Sequence, residues 1–258
     1  MVETKGKLPL SLSGIRDASG FVNEQSTQAI SLSVFVDGSC SAELITYAKE
    51  QLCPQVETTT LDVTFFGTAA PCVDDQVTLL VILAAQSTVV GEALAYAKRH
   101  FVPAVVLTLH PKQVQQQAEV AEFHLDALEI VGPDPRLSNE QERLVSAFDA
   151  LGAWIVRNLG DQRLAFARAL PFVRRPLARE ITRSTAYQNA AIAAVFFLPG
   201  ADMPLLTLNQ AKMMLQIAGA FGLPVGTERI KELVFLLISA FGFRALARKL
   251  VGLVPVIG

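Results

Sequence analysis

Residues 77–84 read VTLLVILA, eight residues with a single polar side chain. A strand apolar on both faces belongs in the middle of a parallel sheet, covered by helices above and below. Working outward, the neighbouring segments alternate in kind. Ile30–Val36 and Thr60–Phe66 read as strands, with a helix over Ala42–Leu52 between them whose inner face is Leu44, Ile45 and Ala48. Downstream come a helix over Val89–His100, a strand over Ala104–Leu109, a Gln-rich helix over Pro111–Phe123 opened by its proline, and a short strand over Ala127–Val131. The alternation predicts an α/β fold, a doubly wound, mostly parallel sheet with helices on both faces.

The flanks read differently. Met1 to about Gln25 is polar and without period, which predicts a flexible arm. Ser138 with Gln141 has capping-box spacing and opens a long helix striped by Leu144, Phe148, Leu151, Ile155, Leu159, Phe166 and Leu170. Gly160-Asp161 is placed to kink it, and Pro171 and Pro176 to end it. Thr207 with Gln210 repeats the capping spacing, ahead of an apolar face at Met213, Met214, Ile217 and Phe221. Thr227 can cap a further segment whose run Leu233–Ile238 is apolar all round, which requires burial in protein or in lipid. The resulting organisation is an arm (1–25), an α/β domain (26–137), a long helix with a basic hinge (138–183) and an all-helical C-terminal domain (184–258).

Charge divides the chain the same way. Met1–Ala150 holds 9 Lys and Arg against 19 Asp and Glu, whereas Leu151–Gly258 holds 13 against 5. Seven arginines (157, 163, 168, 174, 175, 179 and 183) fall in 27 residues with two acids. They read as a solvated helix face or as a contact for anionic headgroups, Arg168, Arg174, Arg175, Arg179 and Arg183 above all. Nucleic acid is excluded, because only Phe166 and Phe172 are interleaved with the arginines and Phe166 belongs to the apolar stripe. Three cysteines (40, 53, 72) without a C-x-x-C fit neither a disulfide framework nor a zinc site. The N-terminus does not read as a signal peptide, and Ala186–Ala201 is too short and too interrupted for a membrane span.

The turn Asp37-Gly38-Ser39-Cys40-Ser41 stands between the first strand and its helix, where nucleotide-binding α/β domains keep a phosphate loop. Order and spacing resemble a P-loop GTPase domain, with VVLTLHPK (105–112) where a guanine-reading Asn-Lys-x-Asp would follow a strand. The chemistry departs from that pattern. A P-loop wraps phosphate with glycine backbone and adds Lys for charge and Ser/Thr for magnesium. Here Gly38 is the one glycine, no Lys follows, and Asp37 and Glu43 are acidic. Asp37, Gly38, Ser39 and Ser41 thus read as a vestigial nucleotide loop. Cys40 ahead of a helix reads as a nucleophile or as a core cysteine, and His100 and His110, at the ends of later elements, are not assigned as its base. Asp62, Asp74 and Asp75 read as cation ligands or as solvated acids. His124 and Trp154 show no metal or cofactor spacing, and Met213-Met214 reads as core or interface.

Leu208-Asn209-Gln210, Ile217-Ala218, Phe221-Gly222, Arg229, Lys231-Glu232-Leu233, Phe241-Gly242, Arg244, Leu250, Pro255 and Gly258 carry a resemblance of their own. Thr207–Gly258 resembles the domain of unknown function of YcjF-type bacterial membrane proteins, which also follows some bacterial small GTPases. Members continue past the Pro-x-x-Gly with another apolar segment, so the resemblance implies a domain truncated at Gly258. Together these readings predict a non-catalytic scaffold or regulatory protein without cofactor or metal. Its expected location is the cytoplasm, at the inner face of the membrane. Its expected partners are an anionic membrane surface, a copy of itself or another protein. The alternative is a divergent GTP or ATP hydrolase.

Overall fold

The computed structural model describes residues 12–67, 76–86, 89–123, 125–195 and 203–226, with Glu232 and Ser239. The expectations for Cys72, Asp74, Asp75, His124, Thr227 and the run Leu233–Ile238 lie outside these residues. The chain forms two compact units. One comprises Glu24–Glu180 with Ala220–Gly222, the other Met1–Asn23, Ile181–Gly219 and Leu223–Gly258.

The first unit is the α/β fold. Strands β1 (Ile30–Asp37), β2 (Thr59–Phe66), β3 (Leu79–Leu83), β4 (Ala104–Leu107) and β5 (Ile130–Val131) form one all-parallel sheet in the order β2-β1-β3-β4-β5. Every residue of β3 is buried, as its two apolar faces require. The register aligns Val34 with Val63 on one side and Val81 on the other. Helices cover both faces. Phe35, Leu80, Ile82 and Val106 pack with Ala93, Leu94 and Ala97 of α3 (Val90–Arg99) and Val114 and Ala118 of α4 (Pro111–Val120). On the Val34 and Val36 side lies α2 (Ala42–Leu52), whose Tyr47 meets Phe148 edge-on at 5.2 Å.

Phe148 belongs to α5 (Glu140–Asn158), which buries Leu144, Phe148, Leu151 and Ile155. The residues expected to form a hinge are therefore part of this unit as far as Glu180. Three details differ from the sequence reading. Asn139, not Ser138, caps α5, its Oδ1 accepting from Glu142 N at 3.1 Å. The long helix is broken rather than kinked: Gly160, at φ +46°, opens a 3-10 turn (Gly160–Gln162) that leads into α6 (Arg163–Ala169). Pro171 follows the end of α6, as expected, and opens α7 (Pro171–Val195), whereas Pro176 ends no helix and lies inside α7. Proline needs no donor in a helix's first turn. Pro176 does interrupt the ladder, freeing the Phe172 carbonyl, and its ring approaches Gly152 of α5 so closely that a Cβ there would lie 3.0 Å from it.

The second unit is helical, and here the expected flexible arm is corrected. Leu12–Thr27 is helix α1, with Ile15 and Val22 one seven-residue repeat apart and fully buried. They pack with Ala211, Leu215 and Val225, and Ser19 Oγ donates to the Val225 carbonyl at 2.8 Å. The period was hidden because Ala18, Ser19 and Ser26 complete the stripe with small and polar side chains. Thr207 is not a cap either. Helix α8 runs Met203–Ala220, and Thr207 is wholly buried within it, in line with Ala211 and Leu215. Of the expected face, Met214 packs against this core, whereas Phe221 is 48% exposed.

Removing buried methyl groups costs transfer free energy plus a cavity. Ile15→Ala is accordingly expected to destabilise the helical unit by about 2–5 kcal/mol. Urea unfolding followed by circular dichroism checks this, and an unchanged midpoint would return Leu12–Thr27 to the status of an arm.

Candidate functional site

In a doubly wound sheet the crossovers turn to opposite faces where the strand order reverses. The loops there splay apart into a crevice at the carboxyl ends of the strands. In this chain that point lies between β1 and β3. The loop after β1 is Gly38–Ser41, and the loop after β3 begins Ala84-Ala85-Gln86. Sequence and local chemistry build the first loop. Gly38 N bonds the Phe66 carbonyl at 3.0 Å, and Ser41 Oγ caps α2 by accepting from Leu44 N at 3.2 Å.

Asp37, the last residue of β1, is 3% exposed and fills the crevice from inside. Its Oδ1 accepts from Ser39 N at 2.9 Å, and its Oδ2 accepts from Ser39 Oγ at 2.8 Å, Ala85 N at 3.1 Å and Gln86 N at 3.1 Å. Gln86 N is shared with Ser39 Oγ at 3.1 Å. These four contacts are all from donors, which an ionised carboxylate accepts. Backbone N–H groups of both loops are thus consumed by a side chain of the protein. A phosphate would need those same donors. It would also meet like charge, at about 4 kcal/mol per unit charge at 4 Å for an effective dielectric of 20.

The structure brings Ser39 and Ser41 to one cleft of about 160 Å³, together with Gln86, Thr108, His110 and Gln113. Asp37 and Gly38 are not among its lining residues; Asp37 accepts from two that are, Ser39 and Gln86, and Gly38 bonds the end of β2. The loop after β4 that supplies Thr108 and His110 is fixed from two sides. Arg143 of α5 donates to the Leu109 carbonyl at 2.6 Å, and Gly132 leaves no room for a Cβ, which would lie 2.7 Å from the Thr108 carbonyl. Gln86, Gln113, Arg143 and Gly132 were not singled out by the sequence. Only the position of Gly132 after a short strand offered a signal.

Cys40 is buried, and burial first and the Asp37 charge second push its thiol up to about 12, against the thiolate a nucleophile needs. His100 stacks on Tyr96 at 4.3 Å, and Trp154 Nε1 donates to the Leu128 carbonyl at 2.7 Å. Asp62 accepts from Thr64 Oγ1 at 3.5 Å on the exposed strand β2. Among the described residues no group of three or more His, Cys, Asp or Glu could hold a metal ion.

The arginines do not act as one set. Arg174 is an internal strut: it donates to the Ala167 and Arg168 carbonyls at 3.1 and 3.2 Å and to Gln55 Oε1 at 2.9 Å. Burial lowers its pKa from the ordinary guanidinium value. Arg168 donates to the Ser26 carbonyl at 3.5 Å. Both serve chain termini of helices, where carbonyls lack partners. Arg175, Arg179 and Arg183 are exposed and recur every fourth residue along α7, which places them on one helix face. Arg175 lies 3.7 Å from the Asp149 carboxylate, and Arg183 lies over the Tyr187 ring at 5.7 Å. Among the described residues no helix is long and apolar enough to cross a membrane.

Comparison with known protein families, with curated proteins and with solved structures finds no match. The site therefore stands on its geometry.

Asp37→Asn keeps the size of the side chain and turns one acceptor into a donor facing donors. The expected loss is about 2–4 kcal/mol of unfolding free energy in urea. A loss below about 0.5 kcal/mol would show that the carboxylate does not hold the two loops.

Proposed function

We propose that the chain is a non-catalytic scaffold or regulatory protein, which acts by contact rather than turnover. The observation that carries this reading is the Asp37 carboxylate, seated on the donors of both switch-point loops. The α/β unit keeps the frame of a nucleotide binder with a self-supplied anion in the ligand's place. The resemblance to GTPase domains and to the YcjF-type domain belongs to this proposal, as the expectation of a degenerate α/β unit followed by a helical, self- or membrane-associating one. The test is thermal unfolding with Mg-GTP and with Mg-ATP. A ligand at about 100 times its dissociation constant stabilises by ~2.7 kcal/mol. Unchanged midpoints with both are expected; a shift of that size with either would favour the divergent hydrolase.

A membrane contact has narrower support, the face formed by Arg175, Arg179 and Arg183. Each such residue contributes about 1 kcal/mol at an anionic surface. At low salt the chain should float with phosphatidylserine vesicles, and the triple Arg→Gln variant should remain in the soluble fraction. Equal flotation of the two would remove this face from the reading.

A further inference from the structure

The two edges of the sheet are unlike. Edge strands present unpaired backbone groups, and proteins blunt them with short strands, lysine, proline or cover. β5, at one edge, is two residues long. β2, at the other, is eight residues long, TTLDVTFF, with no lysine and no proline. β1 pairs it on one side, and no described strand pairs it on the other. Its Leu61, Val63 and Phe65 are 37%, 48% and 59% exposed, on the sheet face that Val34 and Val36 share. Helix α2 covers that face only in part. Between α2 and β2 runs an apolar groove of about 150 Å³, lined by Val36, Ile45, Leu52, Val63 and Phe65 among others.

Backbone direction follows from the bonds already made. The Thr58 and Phe66 carbonyls accept from Ile30 N and Gly38 N of the β1 side, so the even residues of β2 face β1. Alternation then turns the N–H and C=O groups of Leu61, Val63 and Phe65 toward the open edge. The same residues thus present both free backbone and uncovered apolar side chains.

We infer that a second copy of this chain occupies the edge, with β2 pairing antiparallel to its counterpart about a two-fold axis at Val63. Charge selects the register. Outward-facing odd residues must pair with odd ones, and among the centres this allows Asp62 and Val63 keep the overlap of β2 with its counterpart greatest. A centre at Asp62 sets two aspartates directly opposite each other, a destabilising pair. A centre at Val63 sets Asp62 opposite Thr64, Leu61 opposite Phe65 and Val63 opposite itself. The strand is self-complementary in that arrangement. It yields six interchain N–H···O bonds, two at each of three residue pairs. It also joins the two α2–β2 grooves into one trough and extends the sheet to ten strands, giving a closed isologous dimer. The inference deepens the proposal of a protein that acts by contact, and it fails separately: bound nucleotide would end that proposal, a monomer this one.

Sedimentation velocity on the full chain is expected to give a concentration-dependent species of twice 27.8 kDa. Val63→Asp places two carboxylates at the axis and should weaken the dimer by at least about a hundredfold. Val63→Pro removes an edge-facing N–H that β1 does not use and should act the same way, so a folding failure of either variant leaves the other to decide. Amide exchange supplies the residue-level signature. Leu61, Val63 and Phe65 should slow as concentration rises, while Asp62 and Thr64 stay constant. A wild-type monomer, an open-ended oligomer, or a dimer that survives in folded Val63→Asp would each overturn the inference.

Discussion

The clamp formed by the Asp37 carboxylate governs the α/β unit. A doubly wound sheet necessarily opens a crevice where successive crossovers turn to opposite faces. The N–H groups that line it have no strand to pair with, and buried amides require a partner. An anion is the natural one. In this chain a carboxylate that is covalently part of β1 accepts from those donors. Its neighbours follow from that. Ser39 is drawn over the carboxylate by two bonds, Cys40 is buried beneath the turn with its thiol held protonated, and the cleft above is lined by hydroxyl, amide and imidazole groups instead of cations.

Much of this unit was legible because its signals are local and redundant. The run VTLLVILA had no other place than the middle of a parallel sheet, and Leu44 and Ala48 specify the inner face of α2 by their period. The lack of the P-loop's lysine and of all but one of its glycines was legible too. What Asp37 does instead was not. A single aspartate after a strand reads equally as a solvated turn residue, and only the return of the chain at Ala85 and Gln86 supplies its other donors. Arg143 and Gly132 were hidden for the same reason. Each acts on a loop more than twenty residues away, through one hydrogen bond or one missing methyl group.

The flanking helices were harder because their burial is written in small residues. Ser19, Ser26 and Thr207 are buried, and a hydropathy pattern counts them as polar. Reading Thr207 as a cap followed from its chemistry, yet a hydroxyl inside a helix can also be accommodated against a packed neighbour. Composition misled about the arginines in a parallel way. Counting charges treats a guanidinium as a solvated cation, whereas its fan of donors makes Arg174 a brace for three acceptors at once. A basic stretch must therefore be sorted by what each donor reaches before it is read as a surface.

Strand β2 carries its environment in its own alternation. Central strands of parallel sheets, covered on both faces, lose the period of two, as β3 does. TLDVTF keeps it, which states that one face expects cover and the other expects water. Helix α2 does not provide that cover alone: an apolar groove lined by both elements remains, and Leu61, Val63 and Phe65 stay exposed. An apolar face this regular, on an edge without lysine or proline, would favour unspecific pairing in any register if nothing selected one. Asp62 supplies that selection. Set off the centre of the strand by one residue, it penalises the alternative symmetric pairing and leaves the Val63-centred one free of like charge. One acidic side chain thereby does for association what Asp37 does for the crevice: it fixes which of several available donors and faces are used.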